Sequence, residues 1–209
     1  QPLDQNVAVG GTAAFEVSAS GTAPLSYQWS FGGTILSGAT QSALTVASVG
    51  LGDAGSYSVR VANDFGQTQS SNAVLLVGEP AVITEQPTNI NVALGARTRL
   101  RVSAAGTAPL SYQWFKEGTN LVDQTNRVLQ LTNVGWADAG LYRVQVNNAY
   151  GSDQSVEAEV RVGEAPSIVA QPAGQSVVAG GTAVFEVTAA GTAPLSYQWR
   201  FGGTILSGA

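Results

Sequence analysis

Cysteine, histidine and methionine do not occur anywhere in the 209 residues. Without a thiolate or an imidazole, the chain has none of the usual ligands for a zinc, copper or iron–sulfur centre, and no Cys/His or Ser/His pair for nucleophilic catalysis. No cofactor is expected. The missing cysteines do not fix the compartment, because a chain that never uses disulfides is compatible with either redox setting. Charge is also scarce, at 11 % of residues, and the net value of −5 argues against a nucleic-acid or anionic-membrane partner. No apolar run reaches the roughly 18 residues of a membrane span, and no signal peptide opens the chain.

What is present is a repeat. Gly-Thr-Ala-Pro-Leu-Ser-Tyr-Gln-Trp runs from Gly21 to Trp29 and returns unchanged at Gly106–Trp114 and Gly191–Trp199, a period of 85 residues. Such a period marks one structural unit written out several times. Gln1 already aligns with Gln86 and Gln171, so the chain is expected to be a segment of something longer. Three domains are predicted: 1–78, 79–163, and 164–209 as the N-terminal half of a third. Residues 180–209 differ from 10–39 only at positions 14, 18, 20 and 30 of the earlier copy, which suggests that two repeat variants alternate.

Within the first repeat, two-residue alternation marks the strands. Val7 and Val9 lead to the Gly10-Gly11 turn, and Phe15, Val17 and Ala19 alternate with polar residues. Tyr27 and Trp29 share a face; Leu44 and Val46, then Tyr57, Val59 and Val61, then Ala73, Leu75 and Val77 follow the same rule. Asn63-Asp64-Phe65-Gly66 reads as a hairpin turn, rich in residues that tolerate positive φ. Seven or eight strands with a turn signal every eight to twelve residues describe an all-β sandwich.

Trp29 stands twelve residues after Val17, and Asp53-Ala54-Gly55-Ser56-Tyr57-Ser58-Val59 follows; Val102, Trp114 and Asp138-Ala139-Gly140-Leu141-Tyr142-Arg143-Val144 repeat the arrangement, with 42 residues between the valines in each copy. This resembles the Trp and Asp-x-Gly-x-Tyr-x-Cys pattern of immunoglobulin-like domains of the I-set kind. The resemblance covers the whole chain and implies tandem Greek-key β-sandwiches in an extended rod. It also implies a structural core of Val17, Trp29, Tyr57 and Val59 in one copy and Val102, Trp114, Tyr142 and Val144 in the next. The departure is that valine replaces both cysteines. A disulfide closing such a loop would constrain the unfolded chain by roughly 3–4 kcal/mol. Two valines packed on the indole would contribute about 1.5–3 kcal/mol each. Cysteine-free tandem units of this kind resemble those of large bacterial surface and secreted proteins, which implies an extracellular, bacterial setting.

Val77-Gly78-Glu79-Pro80 and Val162-Gly163-Glu164-Ala165-Pro166 join the repeats, short and semi-rigid because proline restricts itself and its predecessor. The third repeat stops short of the strand that would partner Val187 and Trp199, so either the sequence is a window onto a longer chain or another chain supplies the missing strands.

Chemical motifs are few. Asp64-Phe65-Gly66 lacks every other kinase element, and the Gly-Gly-Thr triplets are turns without a following Gly-Lys-Ser/Thr. Asp53 and Asp138 are read as turn-capping residues; calcium at these, or between domains at Glu79 and Glu164, is the alternative. Candidate surface contacts are the basic stripe Arg97, Arg99 and Arg101, and the turn-proximal aromatics Phe31, Phe115, Phe201 and Trp136. The stripe would blunt sheet association or dock an acidic glycan or acidic unit. The aromatics would cover sandwich ends or stack on sugars.

The expected function is a non-enzymatic structural or adhesive array of a secreted or cell-surface protein. Its partners would be neighbouring immunoglobulin-like units, other copies of itself, or polysaccharide. The alternatives are a polysaccharide-binding accessory module of an extracellular enzyme and a filament subunit completed by strand exchange.

Overall fold

The computed structural model describes residues 1–208. Apart from two 3-10 turns, Leu51–Asp53 and Trp136–Asp138, all regular structure is β. The first repeat contains β1 (Gln5–Ala8), β2 (Thr12–Glu16), β3 (Ser26–Phe31), β4 (Thr34–Ile35), β5 (Ala43–Ala47), β6 (Gly55–Asn63), β7 (Gly66–Gln69) and β8 (Ala73–Gly78). The second continues with β9 (Val82–Glu85), β10 (Ile90–Ala93), β11 (Thr98–Arg101), β12 (Ser103–Ala105), β13 (Ser111–Lys116), β14 (Thr119–Asn120), β15 (Val128–Leu131), β16 (Gly140–Asn148), β17 (Gly151–Gln154) and β18 (Ala158–Gly163). The third holds β19 (Ser167–Ala170), β20 (Thr188–Ala190), β21 (Arg200–Phe201) and β22 (Thr204–Ile205).

Backbone packing divides the chain into two compact units that cut across the 85-residue period. One comprises 1–87, 101–127 and 143–156; the other comprises 88–100, 128–142 and the residues from 157 onward.

In the first compact unit, the first repeat forms a sandwich. One sheet runs β1-β8-β6-β3-β4, with β7 hairpinned onto β6, and β2 pairs with β5 in the facing sheet. β1 lies parallel to β8, from Gln5 opposite Leu75 to Ala8 opposite Gly78. The alternation read from the sequence fixes which side chains face in: Ala13 and Phe15 from β2 meet Trp29, Tyr57, Val59, Val61, Ala73 and Leu75 from the other sheet, with Val49 closing one end. Trp29 sits opposite Val59 in the β3–β6 register. Phe15 stacks on Tyr57 with centroids 4.8 Å apart and approaches Trp29 at 6.1 Å. Val17 is half-buried and packs against this cluster.

The strand expected through Phe15, Val17 and Ala19 ends earlier, at Glu16. Ser18, Ala19 and Ser20 carry no strand pairing and are exposed. Their counterparts in the second repeat, Ser103–Ala105, form β12 because β9 pairs with them. In the same unit Val102, Trp114, Val144 and Val146 are buried.

In the second compact unit, β10 runs parallel to β18, and β18 is antiparallel to Gly140–Tyr142. Leu100, Leu129, Val134, Tyr142, Ala158 and Val160 are buried there. In the third repeat β19 pairs with β20, and β21 with β22. Val187 and Trp199 are only half-buried, and a groove of about 330 Å³ runs beside them, bordered by Ile168 and Tyr197.

Candidate functional site

Two side chains of the repeated nine-residue motif, Gln and Trp, bond to the backbone. Trp29 Nε1 donates to the Gln41 carbonyl at 2.9 Å, and Trp114 Nε1 to the Asn126 carbonyl at 2.8 Å. A buried indole N–H thereby finds its acceptor. Gln28 Nε2 donates to Leu36 O at 2.8 Å, Gln113 Nε2 to Leu121 O at 2.7 Å and Gln198 Nε2 to Leu206 O at 3.0 Å, tying the following loop to the strand. The peptide bonds Ala23-Pro24, Ala108-Pro109 and Ala193-Pro194 are all cis.

The aspartates do the structural work read from the sequence. Asp53 Oδ2 accepts the Gly50 N–H at 2.8 Å, and Asp138 Oδ2 accepts the Gly135 N–H at 2.8 Å. Their carbonyls accept the hydroxyls of Tyr57 and Tyr142. Burial, and secondarily the Asp53 charge, pushes the Tyr57 phenol above its ordinary 10.0.

The candidate surface residues separate into two groups. Arg97, Arg99 and Arg101 are exposed, while the alternating Leu100 and Val102 are buried. Trp136 and Phe201 also project, at 55 % and 79 % exposure. Phe31 does not: it is half-buried, its ring 4.9 Å from that of Tyr57. Phe115 is likewise half-buried, with the Arg143 guanidinium 5.1 Å from its ring centre. Strand register explains the first, since Phe31 lies opposite Tyr57 on β6. Glu159 and Arg161 form an exposed ion pair at 2.7 Å. The hydrogen bond from Arg161 holds the Glu159 carboxyl below its usual range.

The junction between the first two repeats is the most highly built surface, and residue-by-residue reading missed it. Gly78 lies under the Tyr150 ring so closely that a Cβ at Gly78 would stand 2.3 Å from Tyr150 Cε2. Glu79 N–H donates to Thr107 Oγ1 at 2.8 Å, and Thr107 N–H returns a bond to Glu79 O at 3.0 Å. Asn148 Nδ2 donates to both Glu79 O and Thr107 O at 2.8 Å. Pro80 fills the space over Gly151, where a Cβ would come within 2.8 Å of Pro80 Cβ. Beyond it, Ala81 and Ile83 are buried, and Ile83 N–H donates to Asp153 Oδ2 at 2.8 Å. The signal for this site was the shared period of Gly-Thr-Ala-Pro and of Asn-x-aromatic-Gly, at Asn63–Gly66 and Asn148–Gly151. In the second compact unit, Glu164 N–H likewise donates to Thr192 Oγ1 at 2.7 Å, and Thr192 N–H donates to Glu164 O at 3.0 Å.

Residues 1–77 match the model of the immunoglobulin I-set domain, and residues 80–148 match that of an immunoglobulin domain. The chain is 30 % identical over 162 residues to Protein sax-3 of Caenorhabditis elegans, covering 75 % of this chain and 13 % of that protein. It is 32 % identical over 152 residues to the mouse basement membrane-specific heparan sulfate proteoglycan core protein, covering 70 % of this chain and 4 % of that one. The chain thus spans a small fraction of these relatives. An I-band fragment of titin, I67–I69, superposes with a TM-score of 0.71 at 24 % identity, over all of this chain and 80 % of the fragment. The relatives are animal proteins, so the expected bacterial kinship is not supported, nor are polysaccharide binding and a filament. They are secreted or cell-surface proteins, which places this chain outside the cell. No helix among the described residues is long and apolar enough to cross a membrane.

Proposed function

We propose, from the premise that this chain is a tandem of immunoglobulin-like domains, that it is a non-enzymatic structural and adhesive array whose partners are other immunoglobulin-like units. The proposed domains are 1–78, 79–163 and 164–209, the final residue lying outside the described ones. The observation that carries this reading is the Gly78–Pro80 junction, where the Tyr150 ring covers Gly78 of the preceding repeat while Thr107 and Asn148 hold Glu79, the first residue of the second. These polar bonds fix the start of the second repeat at the point where it leaves the first. Function in such arrays comes from repetition and surface contact rather than from a reactive centre.

The relatives support adhesion as the coarse function, since a basement-membrane proteoglycan core protein is among them. Beads coated with the chain should cluster with one another or with beads bearing other immunoglobulin-like domains; beads that stay dispersed against both would overturn the adhesive part. The extended rod expected from the short junctions belongs to the same proposal. A small-angle scattering profile of a compact particle would overturn that part.

A further inference from the structure

The sandwich of the first repeat has one bare strand edge. Among the described residues β5 has a single partner, β2, and residues 36–42, between β4 and β5, form no strand that could cover its other side. Val17 N–H donates to Ser42 O at 3.0 Å. The antiparallel alternation therefore turns the main-chain groups of Leu44 and Val46 toward β2, and those of Ala43, Thr45 and Ala47 away from it. The last three residues are exposed. In the second repeat the opening strand β9 pairs with β12, past the end of β11, and β15 still has β11 as its one partner. The bare edge thus belongs to the repeat itself, whatever stands before it.

An edge strand offers a row of unpaired N–H and C=O groups, which proteins usually blunt with charge, proline or a bulge. β5, Ala43-Leu44-Thr45-Val46-Ala47, has none of these. Its inward side chains are incompletely covered as well. Leu44 and Val46 are half-buried, whereas Leu129, which stands for Leu44 in β15, is 2 % exposed. The strand is also nearly palindromic. Antiparallel pairing with a second β5 about Thr45 sets Ala43 against Ala47, Leu44 against Val46 and Thr45 against itself. Opposed residues share a face, so Leu44 and Val46 would then continue the core-facing layer across the joint, and a slip of one residue would turn them out.

We propose that β5 is a self-docking edge, occupied by the β5 of a second copy of this chain in a twofold antiparallel joint centred on Thr45. The inference rests on the reading that the chain associates with other immunoglobulin-like units, and it names the strand through which two copies meet. Recognition is by β-augmentation. Thr45 exchanges its N–H and C=O bonds with the Thr45 of the other copy, and Ala43 and Ala47 do the same with each other. The two threonine side chains lie side by side, a favourable cross-strand pair. β5 brings no charge of its own to the joint. A seam of five residues is short, so one joint is weak, and display of many copies on one surface strengthens it by avidity.

The test follows sedimentation of the full chain over a concentration series. The expected result is a reversible monomer–dimer equilibrium. Thr45→Lys sets like charges against each other on the axis and should weaken the dimer about tenfold. An equimolar mixture of Thr45→Lys and Thr45→Glu should regain it, a rescue that damage to the fold would not show. Thr45 is exposed, so both variants should keep the wild-type tryptophan fluorescence. The chain has no cysteine of its own. Thr45→Cys should therefore oxidise to a linked dimer, since opposed residues of such a pair stand about 5.5 Å apart at Cα, within disulfide reach. Gln67→Cys, exposed on β7, should link far more slowly. The proposal falls if the wild type stays monomeric up to about 1 mM, if folded Thr45→Lys dimerises as well as wild type, if the mixture fails to recover, or if the two cysteine variants link at equal rates. Bead clustering undiminished in Thr45→Lys would remove this site and leave the adhesive reading. A dimer in solution without bead clustering would do the reverse.

Discussion

The hydroxyl of Tyr57 donates to the carbonyl of Asp53 at 2.9 Å, bridging the end of one strand to the turn before it. The Tyr57 ring meanwhile stacks on Phe15, so one side chain serves both core and turn. Tyr57→Phe keeps the ring and removes the bond, leaving a carbonyl to find water. The expected loss is about 1 kcal/mol, read from the denaturation midpoint.

Burial of the same side chain, with the Asp53 charge second, also predicts a pH dependence. The folded state raises the Tyr57 pKa above its ordinary 10.0, so the folded chain holds this proton more tightly than the unfolded one. The stabilisation is complete below the unfolded value and is lost as pH rises through the raised folded value. Stability should therefore fall above about pH 10, and Tyr57→Phe should flatten this decline relative to wild type.

Trp29 has no covalent staple behind it, since Val59 occupies the place where kin carry cysteine. Trp29→Ala should cost about 3–5 kcal/mol, a large part of the roughly 5–15 kcal/mol available to a typical domain. A reducing agent should leave the wild-type midpoint unchanged. A midpoint that barely moves in Trp29→Ala would contradict the packing described for the first repeat.

Two glycines three positions apart should respond in opposite ways. Gly55 has φ of +151°, and a Cβ there would lie 2.7 Å from the Phe31 ring. Gly52, in the 3-10 turn, has ordinary φ and nothing within 4 Å of an added Cβ. Gly55→Ala should destabilise by more than about 1 kcal/mol, whereas Gly52→Ala should be neutral or gain up to about 1 kcal/mol.

Asp53 Oδ2 accepts the Gly50 N–H, the turn-capping role read from the sequence. Asp53→Ala should cost about 1 kcal/mol, as loss of a side-chain cap does. Treating the wild type with a chelator should leave its melting temperature where it was. A shift on chelation would restore the calcium reading.

Most of the fold was legible because the alternation was clean. Tyr57, Val59 and Val61 all point inward as their spacing requires, and Asn63–Gly66 closes the β6–β7 hairpin. What failed depended on long-range partners. Among the described residues Ser18–Ser20 pairs with no strand and β2 ends at Glu16, whereas the matching Ser103–Ala105 pairs with β9, a difference that no local pattern at those residues encodes. Phe31 and Phe115 were open to covering sandwich ends or stacking on sugars because they lie near turns; one ring packs against Tyr57 and the other lies under the Arg143 guanidinium, partners that their local sequence does not show. The cis bonds before Pro24, Pro109 and Pro194 were equally invisible, since the sequence shows a proline without showing its isomer.

The clamp between Thr107 and Glu79, and its counterpart between Thr192 and Glu164, depends on main-chain groups plus a single threonine hydroxyl. Such a fastening is indifferent to most of what surrounds it. Both fastenings join residues of the same 85-residue repeat, so each copy carries its own means of holding its opening strand.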